Sequence, residues 1–277
     1  VVVQLPNVLA FVETYLALTF IGVIPVMALP AHRRAEVQHF VTASSAKGYV
    51  ITDVLKGFDY RELARELRPA CPGLEKVFVA GEPGEGNLAL SEVCRSSLCD
   101  RALEEAVAPL RPRPAEVATM LLSGGTTSVS KLIPRTHDEY VLNAKACSEA
   151  AGFSADTVFL ALLPLGHNYN LASPGLLGTF YRGGTVVIGT GTSPGDVFAA
   201  IEKERVTVVA AVVPLISAWL NSSESAGFDL SSLKVVQNGG ARLPPELRAR
   251  LRQQFGCIPQ EIYGTAEGLI NMTRLDD

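Results

Sequence analysis

Short runs rich in valine and isoleucine recur along the chain and alternate with longer segments of helical length. Ten of these runs are predicted strands, at residues 1–5, 23–29, 48–52, 76–79, 117–122, 157–163, 185–188, 207–213, 233–237 and 261–263. Strands that are apolar without interruption are buried on both faces, as in parallel sheets covered by helices. The alternation therefore predicts an α/β fold of mainly parallel sheets with flanking helices.

The number of strands also bears on domain organisation. Ten strands are many for one open sheet, so we expect two packed, mainly parallel sheets. The best candidate for a linker is the polar, proline-rich stretch "PLRPRPAE", which ends at Glu116 and has no periodicity. We therefore predict a first α/β subdomain at 1–110, a linker at 111–116 and a second α/β subdomain at 117–277.

Charge and hydropathy exclude several classes of partner. The net charge of −4 and the pI near 5.7 argue against a nucleic acid held by phosphate contacts. Residues 5–30 are mostly apolar, but Glu13, Gly22 and Pro25 interrupt them. A buried helix that runs into a core strand fits this stretch better than a membrane span, and we expect no membrane partner.

The cysteines give no sign of a disulfide framework. There are five, and no pair has the Cys-x-x-Cys spacing of a zinc or redox site: Cys71, Cys94, Cys99, Cys147 and Cys257. An odd number of unpatterned thiols is typical of a reducing compartment, and no signal peptide is visible, so we expect a cytoplasmic protein.

The stretch "LLSGGTTSVSKLIPRTH" (121–137) is the strongest local motif. An apolar run ends in two glycines, a series of hydroxyl residues follows, and Lys131 closes the series. Glycines let the backbone approach a ligand, and successive N–H groups, hydroxyls and one lysine suit phosphate oxygens. An ordinary surface loop has a similar composition. The order of residues does not match the Walker A pattern, which disfavours a phosphotransferase, and no G-x-G-x-x-G follows a strand.

Five stretches in order resemble the adenylate-forming ligases, and most closely their aryl-acid group, typified by 2,3-dihydroxybenzoate–AMP ligases. They are the loop with its flank "KLIPRTHDEY", "GVIPVMALPAHRRAEV" (22–37), "PLGHNYNLASPGLLGTFYRGG" (164–184), "NGGARL" (238–243) and "EIYGTAEGLINMTRLDD" (261–277). The resemblance covers nearly the whole chain. It implies that the chain is part of the large N-terminal domain of such a ligase.

The activity implied by this resemblance is activation of a hydroxylated aromatic acid with ATP and Mg²⁺. The acid oxygen attacks the α-phosphate, pyrophosphate leaves, and the aryl group then passes to a thiol. The implied acceptor is an aryl carrier protein in siderophore or nonribosomal peptide biosynthesis, or coenzyme A. Such an enzyme mainly positions a weak nucleophile and neutralises phosphate charge.

Residue roles follow from the matched positions. The implied catalytic residues are Lys131, His167 and Glu267, and Glu267 is also the implied magnesium ligand. The implied ATP and phosphate ligands are Ser123, Gly124, Gly125, Thr126, Thr127, Ser128, Lys131, Gly239, Gly240, Ala241, Tyr263, Gly264 and Thr265. The implied acid-binding residues are His167, Asn168, Tyr169, Ser173, Gly240 and Ile270. The remaining histidines, His32, His39 and His137, are interpreted as structural.

Several residues depart from the family pattern. Ser128 stands where relatives usually have glycine, and serine would be strained if that position has positive φ. Asn170, Ala172, Thr265 and Ile270 are unusual choices around the acid-binding segment. The implied acid is therefore related to 2,3-dihydroxybenzoate without being fixed, and salicylate and 3-hydroxyanthranilate remain candidates.

Other functions stay open at this point. An aryl- or acyl-CoA ligase is the nearest alternative, and a non-catalytic module that binds a nucleotide or an aryl acid is another. The segment that precedes Val1 in the family, the later motifs and the small C-terminal domain with its lysine are not in these 277 residues. We therefore expect little or no adenylation from this chain alone.

Overall fold

Two compact units make up the chain, Val1–Glu139 and Tyr140–Asp277. The computed structural model describes residues 1–94, 100–123 and 130–276. Each unit contains a mainly parallel sheet with helices, which confirms the predicted fold class.

In the first unit the described strands form a seven-stranded sheet in the order β7-β6-β3-β1-β2-β8-β9, and β4 and β5 form a small hairpin. Within the seven-stranded sheet, pairing is parallel except between β8 and β9. The strands are β1 (Val2–Gln4), β2 (Val26–Met27), β3 (Gly48–Thr52), β4 (Val54–Leu55), β5 (Phe58–Asp59), β6 (Lys76–Ala80), β7 (Leu88–Ala89), β8 (Val117–Leu122) and β9 (Leu132–Thr136).

Helices α1 to α5 belong to the same unit. They are α1 (Leu9–Phe20), α2 (Arg34–Ala43), α3 (Tyr60–Leu67), α4 (Leu90–Val93) and α5 (Asp100–Val107), followed by a 3₁₀ turn at Ala108–Leu110. The core joins Ile51 and Val79 of the sheet to Phe40 of α2 and Leu63 of α3. Helices therefore bury the apolar strands, as the uninterrupted hydrophobic runs predict.

The second unit has a six-stranded sheet in the order β11-β10-β12-β13-β14-β15, in which only β14 and β15 pair antiparallel. Its strands are β10 (Val158–Ala161), β11 (Thr185–Ile188), β12 (Val208–Ala211), β13 (Val235–Gly239), β14 (Ile258–Gly264) and β15 (Ile270–Met272). Its helices are α6 (His137–Ala150, which begins at the unit boundary), α7 (Asn168–Ala172), α8 (Gly175–Tyr181), α9 (Pro194–Glu204), α10 (Val213–Asn221) and α11 (Pro245–Phe255), with a 3₁₀ turn at Ser223–Gly227.

One face of this second sheet packs on three helices. Val236 of β13 lies in a core with Phe198 of α9, Trp219 of α10 and Leu251 of α11. Side chains alternate along a strand, so Gly239 lies on the opposite face of β13. That face leads to the candidate site.

The domain boundary lies later in the chain than the sequence predicts. The sequence predicts that residues 111–116 separate two subdomains and that all residues from 117 onward belong to the second subdomain. Instead β8 pairs with β2 through Val26 and Met120 and belongs to the first sheet, and the units divide between Glu139 and Tyr140. A proline-rich stretch interrupts regular structure, but it does not determine which sheet the next strand joins.

Two strands near the site are absent from the sequence prediction. β9 contains Pro134, and proline in a short run usually indicates a loop. Here β9 is at the end of the strand order, where a missing N–H is tolerated. β15 is only three residues long, which is too short to show the alternation of apolar and polar residues that indicates a strand. Among the described residues, no helix combines the length and apolarity needed to cross a membrane.

Candidate active site

The base of the glycine–hydroxyl loop is closed by hydrogen bonds in the first unit. The Ser123 N–H donates to the Lys131 carbonyl at 3.0 Å, and the Lys131 N–H donates to Ser123 Oγ at 2.9 Å. β8 and β9 thus bring the two ends of the loop together, and Lys131 is exposed there. The predicted phosphate ligands Gly124, Gly125, Thr126, Thr127 and Ser128 lie outside the described residues, and their roles stay predictions.

A histidine that sequence reasoning interpreted as structural also reaches this loop. His39 on α2 places Nε2 3.1 Å from the Ser130 carbonyl oxygen. No motif could have indicated this contact, because the two residues are 91 positions apart.

In the second unit, His167 is the N-cap of α7. Its Nδ1 accepts the Tyr169 N–H at 3.2 Å, so the proton of the neutral ring is on Nε2. The residue is exposed overall, but partial enclosure of the ring disfavours its charge and lowers its pKa below the ordinary value. The arrangement favours a neutral imidazole whose Nε2–H has no hydrogen-bond partner among the residues that the structure describes.

Asn168, the next residue, is buried and connects two other elements. Its Oδ1 accepts from the Tyr140 hydroxyl of α6 at 2.9 Å, and its Nδ2 donates to the Thr265 carbonyl at 3.3 Å. The predicted hydrogen bond to an ortho substituent would therefore use the second Nδ2 hydrogen or the second Oδ1 lone pair. Tyr140 is a site residue that the sequence reasoning missed.

The Tyr169 ring packs directly on Gly239 at the end of β13. A Cβ added at Gly239 would lie 2.7 Å from Tyr169 Cε1 and 3.0 Å from Cζ, closer than real contacts allow. Burial raises the pKa of the Tyr169 phenol above its ordinary value. Glycine at 239 is thus required by the ring that lies against it.

Ser173 lies at the other end of α7 and is buried. The Nδ2 atom of Asn143 on α6 donates to the Ala172 carbonyl at 2.7 Å and lies 3.4 Å from Ser173 Oγ. Asn143 is a second residue of the candidate site that the sequence did not indicate, because a polar residue on a helix is by itself no sign of a functional site.

The glycine turn after β13 comprises residues 238–241. Asn238 Nδ2 donates to the Ala241 carbonyl at 2.7 Å, which closes the turn. Gly240 has a φ of +80°, a conformation that favours glycine. Gly240 and Ala241 are exposed, so backbone without bulky side chains faces solvent at this point.

The β14–β15 hairpin carries the remaining predicted residues. The Thr265 N–H donates to the Leu269 carbonyl at 2.9 Å, and Glu267 is exposed within the connecting turn. Ile270 pairs with Gly264, and its Cδ1 would lie 2.5 Å from a Cβ added at Gly264. Tyr263 is 66% exposed, so its ring is available to a ligand.

Three of the predicted segments therefore meet in the second unit. The predicted acid-binding segment contacts the glycine turn through Tyr169 and Gly239, and it contacts the Glu267 hairpin through Asn168 and Thr265. No group of three or more His, Cys, Asp or Glu side chains suitable for a metal occurs in the described part of the chain. A single exposed carboxylate such as Glu267 fits Mg²⁺, which usually takes one or two carboxylates, phosphate oxygens and water.

Comparison with family models identifies the family of the chain. The model of a family described as "AMP-binding enzyme" matches residues 1–277. The chain belongs to the AMP-binding enzyme family.

Relatives within the AMP-binding enzyme family indicate a narrower group. A 2,3-dihydroxybenzoate-AMP ligase of Bacillus subtilis (strain 168) is 45% identical over 277 residues, which is 100% of this chain and 50% of that protein. A salicyl-AMP ligase / salicyl-S-ArCP synthetase of Mycobacterium tuberculosis is also 45% identical, over 100% of this chain and 48% of that protein. The apo structure of Mycobacterium smegmatis MbtA superposes with a TM-score of 0.88 at 41% identity, covering 100% of this chain and 49% of that one. The chain spans about half the length of the curated relatives it matches.

Replacing Asn168 by aspartate tests the bridge between the segments. A carboxylate cannot donate to the Thr265 carbonyl and would be buried beside it, so we expect the free energy of unfolding to fall by about 1–3 kcal/mol. Urea denaturation measures the change. Asn221→Asp is the matched control, because that amide is exposed in the same unit, and it should alter stability little. Equal effects of the two substitutions would contradict a bridging role for Asn168.

Proposed function

We propose that this chain forms part of an enzyme that uses ATP to convert a hydroxylated aromatic carboxylic acid into an aryl adenylate. An oxygen of the acid forms a bond to the α-phosphorus of ATP. The bond from the α-phosphorus to the oxygen that bridges to the β-phosphate breaks, and pyrophosphate leaves with that oxygen. The observation that carries the proposal is the meeting of three segments in one unit, through Tyr169 on Gly239 and Asn168 on Thr265. Segments implied to bind acid, nucleotide and metal are thereby adjacent.

The acid-binding role is assigned to the segment that begins at His167. Because Nδ1 accepts the Tyr169 N–H, the neutral ring carries its hydrogen on Nε2. This donor can hold the carboxylate of the acid without forming a tight ion pair that would weaken the nucleophile. Tyr169 supplies an aromatic wall, and Ile270 and Gly240 complete the pocket in this proposal. Asn168 and Ser173 supply polar groups for ring substituents.

The substrate class follows from those polar groups. Asn168 can hydrogen-bond an ortho hydroxyl or amino group, and the buried Ser173 hydroxyl suits a 3-hydroxyl. Candidates are 2,3-dihydroxybenzoate, salicylate and 3-hydroxyanthranilate. The names of the relatives, which refer to 2,3-dihydroxybenzoate and salicyl groups, support an aromatic hydroxy acid.

The nucleotide is assigned to the exposed glycine turn and to Tyr263, Gly264 and Thr265. Lys131 and its loop are assigned to the β- and γ-phosphates, where a lysine neutralises charge as pyrophosphate leaves. Glu267 would hold Mg²⁺, which would neutralise charge on the phosphate oxygens when bound.

The acceptor of the aryl group belongs to the same proposal. We assign it to the phosphopantetheine thiol of an aryl carrier protein, in siderophore or nonribosomal peptide biosynthesis, and coenzyme A is the alternative acceptor. We assign the protein to the cytoplasm, because Cys71, Cys94 and Cys257 are free thiols in the described part of the chain.

The pH dependence of stability tests the state of His167. Its folded-state pKa is lowered, so the unfolded chain binds the proton more tightly. The contribution of neutral His167 to the free energy of unfolding is fully present above the ordinary histidine pKa of about 6.5, and it is lost as the pH falls below that value. We expect the difference in unfolding free energy between wild type and His167→Gln to shrink between about pH 7.5 and pH 5. Urea titrations at several pH values measure it, and a difference that stays constant would contradict a neutral His167.

The function itself is tested by ATP–pyrophosphate exchange. The assay uses the longest natural polypeptide that contains these 277 residues, with 2,3-dihydroxybenzoate, salicylate, 3-hydroxyanthranilate, benzoate and a fatty acid as substrates. We expect exchange with a hydroxylated aromatic acid and little with benzoate or the fatty acid. Absence of exchange with every acid would overturn the ligase assignment in favour of a non-catalytic binding module. Product analysis with coenzyme A and with a carrier protein distinguishes the two acceptors.

A further inference from the structure

One peptide unit at the end of the glycine–hydroxyl loop is held from both sides. The Ser130 carbonyl lies 3.1 Å from His39 Nε2, and the N–H of the same peptide unit, on Lys131, lies 2.9 Å from Ser123 Oγ. In a planar trans peptide the C=O and the N–H point in opposite directions. The two contacts therefore prevent this peptide unit from rotating in either direction.

His39 is itself positioned by α2. Its ring lies edge-on to Phe40 with centroids 5.9 Å apart, and the residue is half-buried. A carbonyl oxygen can only accept, so Nε2 of His39 must carry the hydrogen. Nε2 carries a hydrogen in the corresponding neutral tautomer and in the charged ring alike, so the contact does not depend on protonation.

Lys131 is fixed by the same arrangement. Its N–H donates to the Ser123 hydroxyl, and its carbonyl accepts the Ser123 N–H at 3.0 Å. Both backbone groups of Lys131 are thus engaged by one residue, and His39 fixes the peptide unit that precedes it. The exposed lysine side chain projects from a backbone that is ordered before any ligand arrives.

We infer that His39 is a positioning residue for Lys131: it orders the Ser130–Lys131 peptide so that Lys131 meets the phosphates of ATP in a preformed orientation. This inference rests on the proposed function, in which Lys131 binds those phosphates. Ordering the backbone in advance removes an entropic cost from binding, so the benefit is affinity for the nucleotide. Ordering the Lys131 backbone should leave the affinity for the aromatic acid unchanged.

The experiment compares His39→Phe with His32→Phe. His32 is a matched control because its ring packs edge-on against the same Phe40, at 5.1 Å, but its Nδ1 accepts the Leu29 N–H instead of contacting Ser130. In ATP–pyrophosphate exchange we expect His39→Phe to raise KM for ATP about 10-fold, as loss of one hydrogen bond implies, and KM for the acid less than about 2-fold. His32→Phe should leave the ratio of the two constants unchanged. His39→Gln, which keeps a side-chain N–H donor, should restore most of the ATP affinity.

A second readout does not depend on activity. Hydrogen exchange of the Lys131 amide should be about 10-fold faster in His39→Phe than in wild type or His32→Phe, because the peptide unit is released. Unchanged exchange of this amide, or an equal rise of KM for ATP and acid, would overturn the inference. If the wild-type protein shows no pyrophosphate exchange, the proposed function fails, while exchange of the Lys131 amide still decides whether His39 orders the Ser130–Lys131 peptide.

Discussion

Replacing Glu267 by glutamine is expected to reduce ATP–pyrophosphate exchange by about 100-fold or more at limiting Mg²⁺. Under the proposed function, this exposed carboxylate is the protein's contribution to a hard-cation site that is otherwise completed by phosphate oxygens and water. Metal charge stabilisation at a transferring phosphoryl group amounts to several kcal/mol, and 100-fold corresponds to about 2.7 kcal/mol. Glutamine keeps the shape and removes the charge, so the Mg²⁺ concentration for half-maximal exchange should also rise.

Glu246→Gln is the matched control for this prediction. Glu246 is an exposed glutamate in the first turn of α11 in the same unit, and its substitution should leave exchange and its Mg²⁺ dependence unaltered. Because Glu267 is exposed, its substitution should change the unfolding free energy by less than about 0.5 kcal/mol. Exchange by Glu267→Gln within 2-fold of wild type across the Mg²⁺ range would remove Glu267 from the metal assignment.

Replacing Gly239 by alanine is expected to impair acid and nucleotide use together. The new Cβ would lie 2.7 Å from Tyr169 Cε1 and 3.1 Å from Cδ1, so the ring must move. Tyr169 donates its N–H to His167, and its neighbour Asn168 donates to the Thr265 carbonyl, so movement of the ring displaces the predicted acid-binding segment and the hairpin contact at once. We expect kcat/KM for both substrates to fall about 10- to 100-fold, and stability to fall by about 1–3 kcal/mol, as in overpacked sites.

Gly227→Ala serves as the control for the added methyl group. Gly227 belongs to the same unit, has no atoms within 4 Å of an added Cβ and does not have positive φ, so alanine there should change stability little. A double-mutant cycle with Tyr169→Ala tests the cause. Without the ring, Gly239→Ala should cost much less, because the clash is absent. Additive effects of the two substitutions would show that Gly239 is required for another reason.

The sequence alone was sufficient for the fold class and for many of its elements. Uninterrupted apolar runs predicted strands at 48–52, 117–122 and 185–188, and the structure has β3, β8 and β11 with those bounds. Burial on both faces of a parallel strand leaves a local signature in composition, as in β3, and the edge strand β11 has a similar apolar run although it is less buried. The motifs from Ser123 to Lys131 and from His167 to Ser173 were also visible as short contiguous stretches, and so was the family they resemble.

Contacts between those stretches depended on the tertiary structure. Asn168 meets Thr265, 97 positions away, and His39 meets Ser130, 91 positions away. The sequence suggested Asn168 as a ligand for the acid, and the structure shows that its amide already joins α6 to the β14–β15 hairpin. Local periodicity carries no information on which polar groups will satisfy one another across a folded unit.

The same reason explains the misplaced boundary. Residues 111–116 look like a linker, yet Met120 pairs with Val26 and keeps β8 in the first sheet, and the units divide between Glu139 and Tyr140. Sequence by itself determined that this protein is an α/β chain with motifs that resemble the phosphate loop, the acid-binding segment and the glycine turn of adenylate-forming ligases. Only the tertiary structure decided strand order, the division into units and the partners of each site residue, because these are set by hydrogen bonds and packing between residues far apart in the chain.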